Sequence, residues 1–345
     1  MEELEIRIPL VMTLILLKTK NINFMGREHV SHSDIAQFAK DKVNLPKEKA
    51  DKYRAQAKGL RDKLESYLSE HPDFTLKRMM LSGSLAKGTS LRTLNDIDVA
   101  CYISGADAPK DIKSLLEYLA ERLRKAYPNF RPDQVQPQTY SVTVSFRGSG
   151  LDVDVVPILY YGDPDWCGNL VSQSDGSFLE TCIPRHIEFI RNRKKKQDTH
   201  FAQVIRLAKY WVRHVKSESD GFRFKSFMVE LIMAKLLDDG KDFSDYPEAL
   251  QHFFTYLASS DLHELIAFSD YYPKSQVGVF TDAVRIIDPV NSKNNAARLY
   301  TAENAAAIVD AAIDAGDAID AALAATTKEK TIYYWRKVFG STFQI

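Results

Sequence analysis

The chain has 345 residues, of which 46 are Lys or Arg and 46 are Asp or Glu, so its formal net charge is zero. That length buries a large core and suits two lobes around one cleft. Balanced charge removes any general nucleic-acid-binding signature and argues against a protein that grips a long template or a tRNA. Cys101, Cys167 and Cys182 are odd in number and widely spaced. They form no metal or disulfide pattern and suit a reducing cytosol.

In chain order, Ile8 to Leu17 is almost wholly apolar, but ten residues fall short of the roughly 20 that span a bilayer. Acids precede it and no small-residue cleavage site follows, so a buried strand or helix is expected rather than a signal peptide or anchor. Residues 46–70 carry Leu60, Leu64 and Leu68 at helical spacing and predict an amphipathic helix. A strand near 77–81 leads to Gly83 and Ser84. Gly83 permits close backbone approach, and Ser84 with the following amides can bond phosphate oxygens. Lys87 and Arg92 follow, able to neutralise a triphosphate.

Asp96 and Asp98 then flank Ile97 on an apolar strand. Residues i and i+2 of a strand share a face, so both carboxylates point one way. Paired acids repel, and a hard divalent cation is the simplest relief. Residues 110–126 predict a helix with Ile112, Leu115, Leu116, Leu119 and Leu123 on one side. Residues 142–160 read as a hairpin around Gly148-Ser149-Gly150. In its second strand Leu151, Val153 and Val155 share one face, and Asp152 and Asp154 the other. One of these two acids completes a three-carboxylate set, and periodicity does not separate them. Such a set can hold two metals roughly 3.5–4 Å apart that clamp the attacking and leaving oxygens of a phosphoryl transfer.

The run from Arg191 to Gln197 is expected to be an exposed linker between lobes, with the chain helical from there to its end. Lys209 lies in a stripe with Arg206 and Arg213, ordinarily a solvated face. Ser226 opens a helix it could simply cap. An alanine-rich amphipathic helix is expected over 302–325, and the closing YYWRKVFG segment reads as a packing helix. Tyr160, Tyr161, Tyr271 and Tyr272 are candidates to stack on bases. His186, His200 and His214 show no ligand spacing and are assigned no chemistry.

The order Gly83-Ser84, Asp96-Ile97-Asp98 and a third acid strand resembles the nucleotidyltransferase superfamily that includes DNA polymerase beta. GSLAKGTSLRTLNDIDV resembles the form shared by archaeal-type CCA-adding enzymes, 2′-5′ oligoadenylate synthetases and cyclic GMP-AMP synthase. DVDVVPIL at 152–159 resembles their third-acid strand. FAQVIRLAKYWVRHVK at 201–216, FRFKSFMVELIMAKLL at 222–237 and IIDPVNSKNNAARL at 286–299 resemble later elements of the same branch. On residues 80–300 the chain is identified as similar to the bacterial CD-NTases, the cyclic-oligonucleotide synthases of CBASS anti-phage defence.

The resemblance implies an α+β fold: a polymerase-beta-like mixed sheet with helices, at 1–190, and a helical oligoadenylate-synthetase-like lobe at 191–345. It implies Asp96, Asp98 and Asp154 as metal ligands and catalytic acids, with Asp154 rather than Asp152 as the third. Gly83, Ser84, Lys209 and Ser226 would hold the donor triphosphate. Two Mg2+ ions, with Mn2+ as a substitute, would serve a cytoplasmic enzyme that joins NTPs, ATP foremost, into a cyclic messenger and releases pyrophosphate. A regulatory protein from the same defence operon is the expected partner, and neither long nucleic acid nor membrane is expected. The rival functions are RNA 3′-end extension of the CCA-adding or poly(A) kind and non-cyclising 2′-5′ oligoadenylate synthesis. A degenerate, non-enzymatic nucleotide sensor would lack at least one acid, and all three are present.

Overall fold

The computed structural model describes residues 26–70, 75–94, 96–106, 108–171 and 177–345. The apolar run at Ile8–Leu17 lies outside them. The chain begins with α1 (Gly26–His29) and α2 (His32–Phe38), a π-helical turn (Ala39–Val43) and the long α3 (Lys47–Glu70). The catalytic elements follow: β1 (Leu76–Leu81), α4 (Gly83–Lys87), β2 (Asp96–Ser104), α5 (Ile112–Ala126), β3 (Val135–Pro137), β4 (Val142–Phe146) and β5 (Leu151–Tyr160). Next are β6 (Gly168–Val171), β7 (Phe178–Thr181), α6 (Ile183–Lys196), α7 (Asp198–Glu218), α8 (Ser226–Asp238) and α9 (Tyr246–Ser260). A short hairpin, β8 (Ile287–Asp288) and β9 (Asn291–Asn295), precedes α10 (Ala302–Ala324) and α11 (Lys328–Phe339).

The sheet runs β1-β2-β5-β4-β3, with β6 paired to the far end of β5 and β7 to β6. Its central pair, β2 and β5, is parallel and its other pairs are antiparallel. Alternation explains its sidedness. Ile97, Val99, Cys101 and Ile103 on β2, with Leu151, Val153 and Val155 on β5, are buried in one cluster with Leu60 and Leu64 of α3 and Leu115, Leu119 and Leu123 of α5. Each such aliphatic side chain contributes about 1.5–3 kcal/mol on burial. The opposite face begins with the acids and continues as Ala100, Tyr102 and Ile158, which form a small cluster of their own.

A second, larger core gathers α6 to α11 around Trp211, Phe253, Phe254 and Trp335. It also takes in Val30, Ile35, Phe38 and Val43. The segment Gly26–Val43, grouped by sequence with the catalytic lobe, thus packs into the helical core, whereas α3 packs on the sheet.

Three expectations are corrected. Residues 191–196 are no linker: they are the last turns of α6, and Arg193 is only 3% exposed. Its guanidinium bonds Asp238 and Asp270 and lies 3.7 Å over the Phe189 ring. The chain beyond is not helical throughout, since β8 and β9 interrupt it. Cys167 and Cys182 form a disulfide, which a sequence separation of 15 concealed until the β6–β7 hairpin returned the chain to the start of α6.

Candidate active site

Parallel pairing of β2 and β5 sets Asp96 opposite Asp152 and Asp98 opposite Asp154. The four acids therefore tile one patch of the sheet, ahead of where the apolar side chains of the same face begin. Above them the chain turns sharply into α4. Ser82 N–H donates to the Asp98 carbonyl at 2.8 Å, and Gly83 takes φ +62°. A Cβ there would stand 1.8 Å from Asp98 Oδ2, so only glycine lets the turn sit on the carboxylate. Gly88, with φ +74°, ends the short helix, and the Ser84 and Ser90 hydroxyls lie 3.1 Å apart.

The acids are under electrostatic stress. Burial, then Asp96 and Asp154, push the Asp98 carboxyl above its ordinary range, against a smaller opposing pull from Lys87. Burial also raises Asp154; Thr143 Oγ1, donating to its Oδ1 at 2.5 Å, works against that rise, and Asp96 and Asp152 add to it. Like charges held on adjacent strands repel, and a divalent metal would relieve that repulsion. Among the described residues no three His, Cys, Asp or Glu side chains form a ready-made cage.

Lys209 is placed differently from a free ligand. It is buried on α7, donating to Glu230 Oε1 at 2.6 Å, Thr89 Oγ1 at 3.0 Å and the Thr89 carbonyl at 3.3 Å. Glu230 Oε2 meets Lys87 at 2.6 Å, and Thr89 Oγ1 donates to Glu230 Oε1 at 2.7 Å. One buried carboxylate of α8 thus ties together the end of α4, the loop after it and α7. Ser226 is the exposed first residue of α8, next to Phe227.

A cavity of about 330 Å³ joins these parts. Gly83, Lys87, Asp98 and Val156 line it from the sheet side, and His186 and Phe227 from the helical side. Its aromatic is Phe227, with Lys87 Nζ 4.9 Å over the ring, and not one of the four tyrosines singled out by sequence. Tyr160 stacks on Trp166, Tyr161 covers Gly105, Tyr271 bonds Glu188 and Tyr272 bonds the Asp288 carbonyl. Glu230 and His186 escaped the sequence reading. Glu230 is the one charged residue in the otherwise apolar run Phe227–Met233 of α8, which was the available signal; His186 offered none.

No family model matches the chain. It is 69% identical over 320 residues to the cyclic AMP-AMP-AMP synthase of Escherichia coli strain MS 115-1, covering 93% of this chain and all of that protein. It is 34% identical over 322 residues to the CBASS oligonucleotide cyclase CdnC of E. coli strain KTE188, covering 92% and 98%. The solved structure of E. coli MS115-1 CdnC with ATP superposes with a TM-score of 0.87 over 92% of this chain and 99% of that one, at 69% identity. The same cyclase has been solved in a complex with HORMA-deltaN, with the same TM-score and 68% identity.

Proposed function

Because the chain belongs to the CBASS oligonucleotide cyclases of the CD-NTase family, nucleotidyltransferases that join nucleoside triphosphates into cyclic oligonucleotides, we propose that it joins three ATP molecules into a cyclic triadenylate. The observation that carries this reading is the acid patch: Asp98, packed beneath Gly83 and lining the cavity of about 330 Å³, with Asp154 beside it on the neighbouring strand. The relative at 69% identity, named for a three-AMP ring, supports the choice of base and ring size.

Asp96, Asp98 and Asp154 hold two Mg2+ ions in this reading, and Mn2+ serves in their place. Bound, the ions supply Lewis-acid polarisation of the phosphate and lower the pKa of the attacking hydroxyl. Asp154, fixed by Thr143, orients the acceptor hydroxyl and takes its proton. Gly83 brings the backbone close to the phosphates, and Ser84 donates to them. Lys87, which lines the cavity, supplies positive charge to the triphosphate, and Lys209 reinforces it from behind through Glu230. Ser226, exposed beside Phe227, reaches the outer phosphates. The two cores correspond to two lobes that meet at α6, whose first turn faces the cavity.

The enzyme is cytoplasmic in this account, and a HORMA-domain protein is its regulatory partner, by analogy with the solved complex of the relative. Among the described residues no helix is long and apolar enough to cross a membrane. RNA end extension and linear 2′-5′ synthesis give way to cyclisation, because the relatives spanning nearly the whole chain are cyclases.

The test is incubation of the purified protein with ATP and Mg2+, without RNA, followed by phosphatase and mass spectrometry. A phosphatase-resistant product with the mass of three AMP residues, absent with Asp96→Ala/Asp98→Ala, is expected. A phosphatase-sensitive ladder, or product formed only on added RNA, would contradict the proposal.

A further inference from the structure

The helical wall of the cavity carries a polar cluster that the phosphate chemistry does not use. Asp288, only 5% exposed, accepts from three donors. His186 Nε2 lies 2.7 Å from its Oδ1, the Val290 N–H donates to the same oxygen at 2.9 Å, and Asn294 Nδ2 donates to Oδ2 at 3.2 Å. The Tyr272 hydroxyl fixes the backbone by donating to the Asp288 carbonyl at 2.7 Å. Three hydrogen bonds converge on this carboxyl, and its pKa is lowered: burial would raise it, but His186 and the donors around it hold it below the ordinary carboxylate range.

An ionised carboxylate only accepts hydrogen bonds. His186 therefore presents its Nε2–H to Asp288, and in the imidazole tautomer with its proton on Nε2 the Nδ1 atom is an acceptor. The Asn294 amide turns its NH2 group to the same carboxylate, leaving its carbonyl oxygen. Both residues line the cavity, and the His186 ring meets Phe227 edge-on, with centroids 5.5 Å apart and planes at 89°. A planar base lying against Phe227 would bring its edge to these acceptors. The exocyclic amino group of adenine donates two hydrogens there, whereas guanine presents its O6, an acceptor facing acceptors.

We propose that His186, with Asn294, reads the 6-amino group of adenine, and that Asp288 is the positioning residue that makes both of them acceptors. The proposal deepens the ATP reading above and rests on it. It explains specificity by hydrogen-bond polarity: the cavity rejects guanine because two acceptors would be left facing a third, which costs more than a missing contact.

The test uses the full chain and non-hydrolysable analogues of ATP, GTP and purine riboside triphosphate, which lacks only the 6-amino group. Affinities are measured by calorimetry with Mg2+ for wild type, His186→Ala and Asp288→Asn. Wild type should bind the ATP analogue at least about fivefold more tightly than either competitor, in line with one or two neutral hydrogen bonds. His186→Ala should bring the ATP and purine riboside affinities to within about twofold of each other, with the purine riboside affinity unchanged. Asp288→Asn can donate to Nε2, turn Nδ1 into a donor and shift preference towards GTP. Full ATP preference retained in His186→Ala overturns the assignment to this residue, whether or not Asp288→Asn folds. Equal affinity of wild type for ATP and GTP overturns instead the adenine reading on which it rests.

Discussion

Asp98 and Asp154 bind their protons more tightly in the folded protein than in the unfolded chain, Asp98 because of burial and then Asp96, and Asp154 chiefly because of burial. A group raised in this way stabilises the fold fully below the ordinary carboxylate range, and that contribution is lost as pH rises through the raised value. At neutral pH without divalent metal, both acids therefore work against folding. Asp98→Asn should melt at a higher temperature than wild type at pH 7 in EDTA, while Mg2+ should raise the Tm of wild type alone. Thermal scans with and without EDTA check this, and a variant melting below wild type in EDTA contradicts it. The same substitution should lower the rate of product formation by more than about 100-fold, beyond what losing an outer partner of a metal ligand costs. Thr143 is such an outer partner: Thr143→Val should cost roughly 10–100-fold and Thr143→Ser little, because only the hydroxyl touches Asp154. Steady-state rates for the pair decide it.

Between elements, the Glu230 carboxylate joins α8 to α4 and α7. Burial alone would raise its pKa, but Lys209 and Lys87 bring it down to about 2. A depressed carboxyl contributes stability above the ordinary carboxylate range and loses it as pH falls through the folded value, so this lock stays closed until about pH 2. Glu230→Ala leaves Lys209 buried without its counter-ion and should destabilise by about 3–5 kcal/mol. Replacing both partners by Glu230→Leu/Lys209→Met should recover much of that loss. Urea denaturation of the single and double variants measures it, and additive losses would contradict the lock. The Cys167–Cys182 bridge belongs to the same scale. Denatured, unreduced protein should titrate one thiol, from Cys101, and reduced protein three.

For the whole molecule, the legibility of the sequence follows the range of each interaction. The acids of β2 and β5 were readable because a strand alternates with period two, and α3, α5 and α10 because an amphipathic helix repeats with period 3.6. Which strand lies beside which was not readable from periodicity, and the register of β2 on β5 is what sets Asp154 rather than Asp152 opposite Asp98. The basic run at 191–196 looked solvated because Asp238 and Asp270, which bury Arg193, lie 45 and 77 residues away. His186 was silent for the same reason, since Asp288 reaches it across 102 residues. Lys209 looked like one of a surface stripe, and only tertiary packing turns it inward to Glu230.

The central claim, that the acid patch under Gly83 is a two-metal centre acting on ATP, is tested most directly by crystallography with Mn2+ and a non-hydrolysable ATP analogue. Anomalous difference maps locate the metal without reference to activity. The account predicts two peaks between the carboxylates of Asp96, Asp98 and Asp154 and the triphosphate, with both lost in Asp98→Asn. Nucleotide bound elsewhere, or metal peaks away from these three acids, would contradict it.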